Sequence, residues 1–177
     1  MEYTFTEAEL QEIQKHVAKY PDRNSAIMPG LWIAQEKFGW LSPEAMELVA
    51  NTLDVAYARV YGVATFYTMY FKTEVPKHLI EICTCFTCGE CGGREMMGFV
   101  KNYLEVNEKG HSKDGLFWVR EAECLGACDT APVAQVTNKR YAHCLTEDKI
   151  KNMVAKLRAG EELEYEQIPL SDQSIYR

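Results

Sequence analysis

The sequence predicts an α/β protein in two parts: an N-terminal helical bundle over residues 1–75 and a small α/β domain over 76–162, with a polar tail over 163–177. Three observations carry that expectation. Apolar residues recur at helical spacing through the first seventy-odd positions, the pattern turns extended at Val75-Pro76, and strand-like runs then alternate with helical stripes as far as Gly160. With 177 residues, 47% of them apolar, the chain can close a packed core.

Thr6 and Glu9 have the form of a capping box, and Leu10, Ile13 and Val17 follow on one helical face until Tyr20-Pro21 ends the run. A second helix is expected from about Asn24 to Phe38, with Ile27, Leu31, Ala34 and Phe38 on one side and Gly39 as its stop. Pro29 counts against its first turn. Ser42-Pro43 reads as N-cap and first helical residue of a third helix, whose stripe is Met46, Val49, Ala50 and Leu53. Asp54 is expected to cap a fourth helix reaching about Tyr70.

In the second part, His78 to Cys83 reads as a strand running into a cysteine loop. Met96, Val100, Tyr103 and Leu104 mark a helix after Gly92-Gly93, a polar loop holds Gly110 and Gly115, and Leu116 to Arg120 forms a second strand. Val133 to Thr137 and Arg140 to Cys144 flank Asn138-Lys139 as a two-residue hairpin turn. Thr146 caps a last helix with Ile150, Met153, Val154 and Leu157 inward. No repeat is visible, and the acidic tail reads as a solvated extension.

A net charge of -7 argues against a nucleic-acid surface and points to protein partners. The most apolar stretch, Val55 to Phe71, is interrupted by Arg59, so no transmembrane segment is expected. The first residues lack the pattern of a signal or transit peptide, which leads us to expect a cytoplasmic chain. In that reducing compartment seven cysteines favour metal binding or redox chemistry over disulfides.

Six of the seven cysteines lie between Ile82 and Pro132: Cys83, Cys85, Cys88 and Cys91 in one loop, Cys124 and Cys128 in another. Thiolates converging from two loops suit zinc or an iron-sulfur cluster, and spacing favours neither. Glycines 89, 92, 93 and 126 would let backbone N–H groups approach the sulfurs of a negatively charged cluster. Cys83-x4-Cys88 with Cys124-x3-Cys128 is one ligand choice; Cys83-x4-Cys88-x2-Cys91 has plant-type ferredoxin spacing and is another. Cys88 and Cys91 also form a C-x-x-C pair of thioredoxin type, a reading that leaves Cys124 and Cys128 unexplained. The four histidines, His16, His78, His111 and His143, read as structural or exposed. Of the aromatics Tyr57, Tyr61, Phe66, Tyr67, Tyr70 and Phe71, about half read as core and the rest as contact surface. Met96 and Met97 read as core packing.

Ala64-Thr-Phe-Tyr67, Cys83-x4-Cys88 and Glu123-Cys124-Leu-Gly-Ala-Cys128-x-x-Ala-Pro132, in this order, resemble the 24 kDa, or E, subunit family of NADH:quinone oxidoreductase (respiratory complex I). The likeness covers nearly the whole chain. It implies a thioredoxin-like 2Fe-2S ferredoxin domain after the helical bundle, with Cys83, Cys88, Cys124 and Cys128 as cluster ligands and Cys85 and Cys91 outside the set. It also implies an electron-transfer subunit without a substrate site of its own, exchanging single electrons with FMN on a partner subunit that oxidises NADH. Further iron-sulfur subunits and a peripheral place on the cytoplasmic side of the inner membrane belong to the same implication. The chain has no G-x-G-x-x-G or Walker motif, in keeping with nucleotides bound elsewhere. Homologous subunits serve NAD-linked and electron-bifurcating hydrogenases and formate dehydrogenases, which the sequence does not separate. By analogy with thioredoxin-like folds, the bond before Pro132 is expected to be cis.

Overall fold

The computed structural model describes residues 3–164, so the end of the expected tail lies outside the described residues. The chain divides into two compact units, Met1–Val75 and Pro76–Arg177.

The first unit contains α1 (Glu7–Val17), a 3-10 turn (Arg23–Ala26), α2 (Ile27–Phe38), α3 (Pro43–Leu53) and α4 (Tyr57–Phe66). The capping box forms: Thr6 N–H donates to Glu9 Oε2 at 2.6 Å, and Glu9 N–H donates to Thr6 Oγ1 at 3.4 Å. Pro29 sits third in α2, where an amide would have no intrahelical acceptor, so the helix tolerates it. The residues before Ile27, expected to be α-helical, form the 3-10 turn capped by Asp22 instead. Asp54 corrects a second expectation. It closes α3 in the left-handed region at φ 54°, and α4 starts at Tyr57 with no side-chain cap.

The fourth helix also ends earlier than its apolar run. Gln35, only 6% exposed, donates to Met69 O at 2.9 Å and accepts from Phe71 N–H at 2.6 Å. Its amide thereby satisfies backbone groups that a longer helix would have paired, and the chain leaves helical geometry at Tyr67. Tyr70 is buried, with its hydroxyl donating to Met28 O at 3.0 Å. Burial, with nearby Tyr67 adding, pushes the Tyr70 phenol up to about 12. The other aromatics of the run divide as follows: Tyr57, Tyr61, Phe66 and Tyr67 are exposed and Phe71 is half-buried.

The second unit runs β1 (His78–Cys83), α5 (Phe86–Glu90), α6 (Gly93–Tyr103), β2 (Phe117–Ala122), a 3-10 turn (Cys128–Thr130), β3 (Ala134–Val136), β4 (Arg140–Ala142) and α7 (Glu147–Arg158). The sheet order is β2-β1-β3-β4. Only the β1–β2 pair is parallel, with His78 opposite Phe117 and Cys83 opposite Ala122. As a central strand, β1 is buried at every position after His78, which explains its near-continuous apolar run. The core joins Ile80, Ile82, Phe117 and Val119 of the sheet to Met97 and Val100 of α6 and to Ile150 and Val154 of α7. Met97 is core as expected, and Met96 packs at its edge.

The hairpin turn falls one residue earlier than expected. Lys139 N–H donates to Val136 O at 3.0 Å, and Thr137 and Asn138, at φ 51° and 56°, are the two left-handed residues of the turn. The Ala131-Pro132 bond is cis. Thr146 caps α7 through Lys149 N–H at 3.2 Å.

Candidate metal centre

Cys83 is the last residue of β1, and the chain then turns into α5, a short helix the apolar pattern does not announce, which carries Cys88. β2 ends at Ala122, and the chain continues through Glu123 to Cys124 and to Cys128 at the head of the 3-10 turn. Because β1 and β2 are parallel neighbours, both cysteine loops leave the same end of the sheet. They are tied there: Thr84 N–H donates to Ala122 O at 3.1 Å, Cys83 N–H donates to Val133 O at 3.0 Å, and Cys83 Sγ lies 4.0 Å from Glu123 O.

Cys83, Cys88 and Val133 form a small buried cluster, with Leu125, Ala127, Ala131 and Tyr141 packed against it. Sequence reasoning gave Tyr141 and Thr130 no part in fixing the second loop and read His143 as structural or exposed. Tyr141, on β4, donates its hydroxyl to Leu125 O at 3.1 Å, and Thr130 Oγ1 lies 2.6 Å from His143 Nδ1. The alternation of the hairpin, which sends Tyr141 and His143 to one face, was the available signal.

Cys83 and Cys88 are buried, whereas Cys124, Cys128, Cys85, Cys91 and Cys144 are exposed. Cys85 and Cys91 bracket α5 as its N-cap and C-cap residues. Burial pushes the Cys88 thiol up to about 11, with a hydrogen bond to Cys83 and the nearness of Cys83 and Cys128 adding to the effect. The three thiols thus lie in one neighbourhood, and the buried Cys88 resists ionisation until a cation compensates it.

Gly93 shows how tightly the loop is held. A Cβ there would stand 2.6 Å from both Cys83 O and Cys88 O, so only glycine lets the first turn of α6 come so close. His78 opens β1, and its pKa is lowered by burial and then by Lys77. Among the described residues, no three His, Cys, Asp or Glu side chains are set to hold a single metal ion. A binuclear iron-sulfur cluster makes a different demand, two thiolates for each iron, and soft donors from two adjoining loops fit it.

The family model of the thioredoxin-like 2Fe-2S ferredoxins matches residues 13–158. The chain belongs to that family. The ferredoxin is 36% identical to NADH-quinone oxidoreductase subunit 2 of Thermus thermophilus over 159 residues, 89% of this chain and 88% of the relative. It is 40% identical to the E-subunit of the NADH-quinone oxidoreductase of Rickettsia conorii over 159 residues, 88% of this chain and 95% of the relative. These relatives bear out the E-subunit resemblance read from the motifs, and family membership supports a 2Fe-2S cluster. Among solved structures, an NAD+-reducing NiFe-hydrogenase in the H2-reduced state shares the fold at a TM-score of 0.61 and 20% identity, over 82% of the ferredoxin. The ferredoxin spans about a quarter of that hydrogenase chain, 24% of its length. Among the described residues no helix is long and apolar enough to cross a membrane.

Proposed function

We propose that this ferredoxin is the electron-carrying subunit of an NADH:quinone oxidoreductase. One 2Fe-2S cluster is held by Cys83, Cys88, Cys124 and Cys128, on a domain spanning residues 76–162 between the 1–75 bundle and the 163–177 tail. The observation that carries the reading is the convergence of the two cysteine loops at one end of the parallel pair β1–β2, with Cys83 and Cys88 buried there.

When bound, the cluster supplies one-electron redox chemistry without proton transfer. The chain's own residues prepare the place. Cys83 and Cys88 would bind the metal as thiolates, their protons released to solvent, while Gly93 brings the positive end of α6 against their loop and Val133 with Leu125 and Ala127 keeps water from the buried side. FMN and NADH bind on a partner subunit, which exchanges single electrons with this cluster, and the chain has no substrate site of its own. Further iron-sulfur subunits complete the assembly, peripheral on the cytoplasmic side of the membrane.

The purified full chain should be red-brown and give a spin-one-half EPR signal after one-electron reduction. A colourless protein containing zinc would overturn the reading. The fold likeness to the hydrogenase favours a second assembly, an NAD-linked hydrogenase, and the proteins that co-purify with the native chain decide between the two.

A further inference from the structure

Arg94 occupies the second position of α6, where a cation is electrostatically misplaced because the N-terminal end of a helix is itself positive. Its side chain folds over the first cysteine loop. A Cβ on Gly89, the residue after Cys88, would lie 3.3 Å from Arg94 Cζ and 3.5 Å from Arg94 Nη2. Among the described residues no carboxylate pairs with it, although Glu90 and Glu95 are close in sequence. An exposed cation without a carboxylate partner among the described residues therefore sits at a helix end that disfavours it.

We propose that Arg94 tunes the reduction potential of the 2Fe-2S cluster by holding a fixed positive charge over the Cys88 loop, an inference that rests on the four-cysteine reading above. On reduction the cluster takes one electron from an external one-electron donor, dithionite in the experiment below. One ferric ion becomes ferrous, no bond to a thiolate breaks and no proton moves. The site passes from about two negative charges to about three, and a nearby cation favours the more negative state. The arginine therefore raises the potential. Its side chain is exposed, so the effect weakens with salt. Arg94 is a positioning residue for charge and touches no reacting atom.

The full chain, loaded with iron and sulfide, is titrated with dithionite in the presence of redox mediators and followed by EPR. Arg94→Gln should titrate at a lower potential than wild type, with a difference that shrinks as ionic strength rises, while Arg94→Lys stays near wild type. Lys101→Gln, which removes a cation from the last turn of the same helix, should change little. Arg94→Met keeps an apolar stem over Gly89 and supplies the same measurement if the glutamine variant sheds its cluster. A neutral variant that holds its cluster with unchanged g values and titrates at the wild-type potential overturns the inference, as does cluster loss in both neutral variants. A wild-type chain that takes up no 2Fe-2S cluster overturns the four-cysteine reading itself, a distinct outcome.

Discussion

Glu81 of β1 and Arg120 of β2 stand opposite one another on adjacent parallel strands, and their side chains meet at 2.8 Å with Glu81 only 8% exposed. Arg120 also lies 4.7 Å from the ring centre of Trp118. Removing one member leaves a largely desolvated charge behind, so Arg120→Met should cost about 2–3 kcal/mol. Replacing both by leucine should return much of that loss. Urea unfolding followed by circular dichroism, arranged as a double-mutant cycle of Glu81→Leu and Arg120→Leu, makes the comparison; single losses that simply add in the double variant would show that the pair is not coupled.

Gly93 and Gly98 lie in the same helix with opposite surroundings. A Cβ at Gly93 would stand 2.6 Å from two backbone oxygens, whereas one at Gly98 meets nothing within 4 Å. Gly93→Ala should therefore cost more than about 2 kcal/mol and lower the iron content, because backbone must move. Gly98→Ala should stabilise by up to about 1 kcal/mol through helix propensity. Thermal melts of the two variants should shift in opposite directions, with iron content lowered in Gly93→Ala alone.

The seven cysteines should separate into three groups under serine substitution. Changes at Cys83, Cys88, Cys124 or Cys128 should drop iron well below the roughly two atoms per chain of a binuclear centre. Changes at Cys85, Cys91 or Cys144 should leave it intact. Within the first group, Cys83→Ser and Cys88→Ser bury a hydroxyl in an apolar pocket and should also cost the metal-free chain about 1–3 kcal/mol, which Cys124→Ser and Cys128→Ser should not. Retained iron in Cys128→Ser with loss in Cys91→Ser would exchange those two ligands.

Asp114 should shape the acid limb of stability. Burial raises its pKa, but the Ser112 hydroxyl, Leu116 N–H and the Arg158 guanidinium together outweigh that and hold it below the usual 3.8. A carboxylate depressed in the folded state stabilises above its unfolded value, and the contribution disappears as pH falls through the folded value. Asp114→Asn should thus cost about 1 kcal/mol near pH 7, discounted for partial exposure, and the difference from wild type should shrink as pH falls below 3.8 and through the lower folded-state value. A constant difference across the range would assign the loss to packing instead.

Much of this arrangement could be read from the sequence because local signals agreed with the final packing. Thr6 with Glu9, Ser42 with Pro43 and Thr146 all cap helices where the motif predicts. The misses have two causes, a distant group competing for the backbone and a residue that accepts an unusual backbone angle. Gln35 captures the chain at Met69 and Phe71 and cuts a helix that its apolar run would have continued. Asp54 tolerates a left-handed backbone and so ends one helix rather than starting the next. The pairing of the two cysteine loops was expected from their number and separation; the hairpin alternation put Tyr141 and His143 on one face, but their partners Leu125 and Thr130, like α5, depend on contacts outside any local pattern.

The register of β1 against β2 acts as a ruler for the spacing of the two cysteine loops. Cys83 is aligned with Ala122, two residues before Cys124, and the count of strand residues decides how far apart the two loops begin. A slip of one residue would move the second loop by about 3.3 Å and turn each β2 side chain to the opposite face. An insertion or deletion inside β2 should therefore damage the centre more than one of equal length in the 107–115 loop that precedes the strand, although neither touches a cysteine.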